Sequence, residues 1–167
     1  MKLWTWKKEN LPSVSHAFRT AIAATLSVLL ARLIGMPEAY WAVIATLVVM
    51  QSPLSSTVPL AIQRIVASAL GASLGAIESA YFGANLIAFA LTIFVLGLVS
   101  LLFRLERVGY SYAGMTLAII VLIPRPEAPW IAAAHRFAEV SVGILVALAV
   151  VAVWGEEQRL FGDSTAE

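Results

Sequence analysis

The chain has 167 residues, 60% of them hydrophobic and only 13% charged, where a soluble domain carries about 45–50% apolar and about 25% charged residues. That balance excludes an ordinary water-soluble fold and points to an integral membrane protein, with the bilayer as its first partner. A net charge of +1 without a basic block gives no footing for nucleic acid, and the absence of cysteine excludes disulfides, thiolate catalysis and cysteine-ligated metal.

Residues 1–15 open with "MKLWTWKKEN", basic and tryptophan-bearing, and read as an interfacial segment. The apolar run that follows is too long for a signal peptide and has no small-residue cleavage site, so it is expected to stay in the mature protein. Six apolar segments follow, at about 16–35, 38–52, 60–82, 84–103, 109–124 and 132–154, separated by "GMPEAY", "SPLSSTVP", "FGAN", "RLERVG" and "PRPEAP". The expected fold is therefore all-α with six transmembrane helices over residues 16–154, followed by a polar tail at 155–167. Basic residues concentrate on one side of this arrangement (Lys2, Lys7, Lys8, Arg19, Arg64, Arg104, Arg107 and Arg159), with Arg32, Arg125 and Arg136 on the other. The bias predicts a cytoplasmic N-terminus and C-terminus.

Arg64 in "AIQRIVASALG" and Arg136 in "AAHRFAEVSVG" are 72 positions apart, and each has a glycine seven residues on, Gly71 and Gly143. The same offset aligns "LLARL" with "LLFRL" and Tyr40 with Tyr112. This predicts a repeat of about 16–82 on 84–154. Three spanning helices per repeat force the halves into opposite orientations, an inverted-repeat architecture used by transporters. Arg64 and Arg136 then enter from opposite faces, each about a turn inside its helix. Turned inward, they make a path for anions, because a guanidinium stays protonated and grips a carboxylate with two hydrogen bonds.

The second and fifth segments are short, cut by proline, and equivalent in the two halves, which makes them pointers to a transport site. Tyr40, Trp41, Thr46 and Gln51 in one, with Tyr112 and Thr116 in the other, are expected to contact the substrate. Glu139, three residues after Arg136, reads either as its intrahelical partner or as a proton-coupling carboxylate. Glu78 reads as an interfacial acid or as part of the path, with proton coupling open to it as to Glu139, and His135 as an interfacial histidine or as a pH-sensing or substrate-binding group. "GASLGA", Gly71 to Ala76, predicts close helix packing. There is no metal-binding His-Glu-x-x-His helix, no phosphate-cradling loop and no catalytic constellation, so neither enzyme activity nor a cofactor is expected.

The run "HAFRTAIAATLSVLLARLIGMPEAYWAVIATLVVMQSPLSSTVPLAIQRIVASALGASLGA", with the later "YAGMTLAIIVLIP" and "HRFAEVSVG", resembles the fusaric acid resistance (FUSC-like) and aromatic acid exporter group. The shared features are an Arg-Thr start, a Tyr-Trp opening of the second helix, a proline after it (Pro53), and an arginine followed by spaced small residues. The resemblance implies a six-helix module exporting aromatic or other organic acids. Through the related aluminium-activated malate channels of plants it also implies a homodimer with an arginine-lined anion path, with Arg64 and Arg136 in that role. Larger members add a cytoplasmic domain or a second bundle, and neither is expected here. The expectation is an inner-membrane organic-anion exporter; the alternative is a non-transporting scaffold or accessory subunit of a larger envelope complex.

Overall fold

The computed structural model describes residues 14–51 and 57–162, with side chains through Trp154. The N-terminal interfacial anchor, Pro53 and the final tail residues lie outside that range. Six helices follow in order: α1 (Val14–Leu33), α2 (Tyr40–Met50), α3 (Thr57–Tyr81), α4 (Leu86–Leu102), α5 (Arg107–Leu122) and α6 (Pro129–Gly162). Every expected segment is a helix. The last one continues to Gly162, past the expected end at 154.

Local chemistry sets the boundaries. α1 ends in a Schellman turn: Met36 N–H donates to Ala31 O, Gly35 N–H donates to Arg32 O, and Gly35 takes φ +76°. α4 closes the same way, with Leu105 N–H on Ser100 O and Arg104 N–H on Leu101 O, but here the left-handed position is filled by Arg104 at φ 53°. Asn85 caps α4, its side-chain oxygen accepting from the N–H groups of Ile87 and Ala88. Pro59 and Pro129 sit in first turns, where a missing N–H costs nothing.

Three helices, Val14–Leu33, Thr57–Tyr81 and Pro129–Trp154 within α6, are long and apolar enough to cross a membrane. The other three are apolar but shorter. α2, with 11 residues, is only about 17 Å long, well under the roughly 30 Å of a bilayer core.

Two larger apolar clusters stand out among the described residues, beside two smaller ones. One gathers Ala23 of α1, Ala45, Val49 and Met50 of α2, Val140, Ile144 and Ala147 of α6, and Ala61 of α3. The other gathers Ala67 of α3, Leu96 of α4, and Ala113, Leu117 and Val121 of α5. α3 and α6 join them and run antiparallel, since Ala61 clusters with Ile144 and Ala147 while Ala72 clusters with Ala133. By contrast, α3 packs parallel to α5 and α2 parallel to α6. Both parallel seams close at a glycine. A Cβ on Gly71 would lie 2.2 Å from Ala113 O, and one on Gly143 would lie 2.1 Å from Ala42 O. Only a residue without a side chain allows backbones that near. Much of the remaining surface is exposed apolar side chain, as on Leu86, Ile87, Leu91, Phe94 and Leu98 of α4, the surface expected of a protein solvated by lipid.

Candidate functional site

Arg64 and Arg136 are each the eighth residue of their helices, about two turns in rather than one. At that depth neither snorkels outward: Arg64 is 6% exposed and Arg136 1%. Because α3 and α6 are antiparallel, the two guanidiniums occupy opposite ends of the bundle. Each lies over an aromatic ring. The Arg64 guanidinium carbon is 4.1 Å from the centroid of Tyr112, and that of Arg136 is 4.1 Å from the centroid of Trp41. This is well inside cation–π range, and desolvation strengthens the attraction.

The two sites differ in their counter-charges. Around Arg136, Nη1 donates to Glu139 Oε2 at 3.3 Å and Nη2 donates to Glu38 Oε2. Glu38 Oε2 also accepts from Arg125 Nη2 at 3.0 Å, and the Glu38 backbone N–H donates to Glu139 Oε1 at 2.8 Å. Glu38 belongs to the loop between α1 and α2, and Arg125 to the loop between α5 and α6. Burial would raise the Glu38 carboxyl, but Arg136 and then Arg125 hold it below the ordinary carboxylate value. Alongside, His135 Nδ1 lies 3.3 Å from Glu127 Oε2. Around Arg64 no carboxylate pairs with the guanidinium among the described residues, and its Nε and Nη1 make no hydrogen bond.

The other expected site residues divide clearly. Trp41 and Tyr112 meet the arginines. Tyr40 does not: it is 53% exposed and turned outward, so the aromatic partner of Arg136 comes one residue later than the ungapped alignment of Tyr40 with Tyr112 suggests. Thr46 is fully buried and its hydroxyl lies within hydrogen-bonding distance of both Ala42 O and Gly143 O, at 2.8 and 2.9 Å. It therefore pins the α2–α6 seam. Thr116 donates to Tyr112 O at 3.1 Å and packs against the Gly71 notch. Gln51 is exposed at the C-cap of α2. Glu139 is the structural partner of Arg136 and of the Glu38 backbone.

Glu78 lies within a turn of the C-terminal end of α3 and turns into the bundle. It is 1% exposed, and neither of its carboxyl oxygens is hydrogen-bonded within the described residues. The hydroxyl of Thr92 on α4 is its polar neighbour, outside hydrogen-bond geometry. Sequence reading missed Glu38 and Arg125, which sit inside the separators "GMPEAY" and "PRPEAP". The signal available was two opposite charges in proline-rich loops at equivalent ends of their segments.

Residues 24–150 match the family described as "Fusaric acid resistance protein-like". The chain is also 32% identical over 157 residues to "Inner membrane protein YeeA" of Escherichia coli (strain K12), an alignment covering 89% of this chain and 42% of that protein. The chain thus spans about two-fifths of the length of that curated relative. No solved structure matches.

Proposed function

This chain belongs to the fusaric acid resistance protein-like family, and we propose that it passes organic anions across the inner membrane, aromatic carboxylates first among them. Family membership points to a membrane transport or efflux role, and kinship with an inner membrane protein together with the long apolar helices points to a multi-pass membrane protein. The substrate class rests on one observation: two guanidiniums buried at opposite ends of the antiparallel α3–α6 pair, each laid on an aromatic ring. A charge so placed in an apolar bundle is costly, and charges retained there characteristically mark substrate or ion paths. An arginine on a ring offers a carboxylate a hydrogen-bonding edge and an aryl group a neighbouring π face.

The two halves are inverted repeats in this reading, with N-terminus and C-terminus cytoplasmic. Its support is the exchange of helices between the cores, α1 and α2 packing with α6, and α4 and α5 with α3, and the paired glycine seams at the 72-residue offset. With the interior negative, anion exit is favoured by about 2.3 kcal/mol per charge per 100 mV, so a channel or uniporter needs no other energy source. Proton coupling falls to Glu78, whose carboxyl is buried without a hydrogen-bond partner among the described residues, before Glu139, which is occupied.

In this reading the module works as a homodimer or beside a further subunit. The test is salicylate and malate flux in liposomes carrying the purified protein, with Arg64→Gln and Arg136→Gln beside the wild type. Each variant is expected to lower flux at least tenfold while remaining folded. Full flux in both variants would end the anion-path reading, and a well-folded wild type without flux would favour the accessory-subunit alternative.

A further inference from the structure

We propose that Glu38 is a built-in competitor for the transported anion, its carboxylate holding the place on Arg136 that a substrate carboxylate takes, so that it sets affinity and access at that end of the protein. The proposal rests on the anion-transport reading above and deepens it.

The charges at this end are balanced. Arg125 and Arg136 face Glu38 and Glu139, two against two, so nothing is left over to draw in an anion. Glu139 is fixed on α6, 1% exposed, and tied to both Arg136 and the Glu38 backbone. Glu38 is the movable member. It comes from a loop, and its side chain is 26% exposed where that of Arg136 is 1% exposed. When the Glu38 side chain swings away, Arg125 and Arg136 keep a single carboxylate between them. The net positive charge that appears beside the Trp41 ring is the site an aryl carboxylate fits.

Two loops move on the same event. Glu38 Oε2 joins the loop before α2 to Arg125 in the loop before α6, so displacing one side chain unties both. His135 and Glu127, on α6 and the same α5–α6 loop, are the remaining titratable neighbours; they lie 3.3 Å apart without a hydrogen bond between them. At the opposite end Arg64 has no such competitor among the described residues. The two arginines therefore do unlike work in this proposal: Arg136 receives an anion only by exchange, whereas Arg64 has no carboxylate to exchange among the described residues.

The experiment uses the full chain, whose lack of cysteine lets spin labels be placed at Ile34→Cys and Pro126→Cys, both exposed and outside the cluster. Distances between the labels are measured with and without salicylate, in the wild type, Glu38→Gln and Glu38→Asp. Salicylate flux is measured against concentration in the same proteins without labels.

The expected result is a longer distance population in Glu38→Gln, the same population appearing in the wild type on adding salicylate, and a half-saturating concentration about tenfold lower in Glu38→Gln. Glu38→Asp should stay near the wild type. An unchanged half-saturation and unchanged distances would overturn the proposal. So would a Glu38→Gln protein that only loses maximal flux, since that is what a merely structural residue would do. Absent flux with distances that still lengthen under salicylate would sink the transport reading and leave the competitor standing; absent flux with unresponsive distances would sink both. Should Glu38→Gln fail to fold, the wild-type salicylate titration decides alone.

Discussion

Gly143→Ala is the sharpest test of the packing described here. The added Cβ would sit 2.1 Å from Ala42 O, 2.8 Å from Ala42 C and 3.0 Å from Ala42 Cα, all backbone atoms that cannot rotate aside. Reaching even the closest approach that real Cβ atoms make, 3.0 Å, requires the α2–α6 seam to open by about 0.9 Å. Forced expansion of a packed contact costs about 1–3 kcal/mol. The same opening stretches the Thr46 contact to Gly143 O, worth about 0.5–1.5 kcal/mol. Alanine's better helix propensity returns about 1 kcal/mol.

The net is a loss of about 2 kcal/mol, which for a chain of this size lowers Tm by roughly 4–8 °C. Thermal unfolding of the purified protein in detergent, followed by tryptophan fluorescence, measures it. Gly97→Ala is the internal control, because its Cβ would meet nothing nearer than the Tyr110 ring at 3.6 Å, so only the propensity gain remains and Tm should rise. A Gly143→Ala protein that melts at or above the wild type would refute the close-seam argument, whatever the control does.

Two further outcomes follow from local features. Arg104 fills a left-handed position at φ 53°, which costs a side-chain-bearing residue about 1–2 kcal/mol; Arg104→Gly should therefore raise Tm by a few degrees, and a lower Tm would mean the side chain has an anchoring contact that outweighs the strain. Glu38, held below its ordinary value of 4.5, contributes stability that is fully present above that value and is lost as pH falls through its lower folded value. Melting curves collected from pH 6 down to pH 3 should show this acid-sensitive component in the wild type and lack it in Glu38→Gln, and matching curves would contradict the assignment.

The helices were legible because their separators are unambiguous: proline and glycine punctuate apolar runs in "GMPEAY", "FGAN" and "PRPEAP". The two arginines and two glycines stood out as the rare chemistry in a field of Leu, Ala and Val. What could not be read was which way each side chain turns. In a bilayer the core face and the lipid face are both apolar, so periodicity no longer separates inside from outside. Tyr40 and Trp41 illustrate this: neighbours about 100° apart on a helix, one is largely exposed and the other lies under Arg136.

Thr46 and Thr116 looked like substrate contacts because they are hydroxyls in apolar segments. Both have a helix carbonyl one turn back within reach, a local option that leaves no trace in spacing, and Thr46 also reaches Gly143 O across the α2–α6 seam. Glu38 escaped notice for the opposite reason. A charge in a loop is ordinary, and only the fold brings that loop to within reach of Arg125 and Arg136.

α4 carries a consequence for how the protein feels its surroundings. Only Leu96 and Ser100 of its 17 residues are buried, so if α4 lies in the bilayer, as the six-span reading has it, acyl chains would settle its position more than protein neighbours do. At about 25 Å it falls short of a bilayer core of roughly 30 Å, and such mismatch is met by thinning the bilayer or by shifting the helix, at fractions of a kcal/mol per Å. Leu96 shares a core with Ala113 and Leu117 of α5, the helix that presents Tyr112 to Arg64. In the six-span transport reading, membrane thickness would reach the Arg64 ring contact through α4 and α5, and lipid chain length would be a control variable for flux alongside substrate concentration.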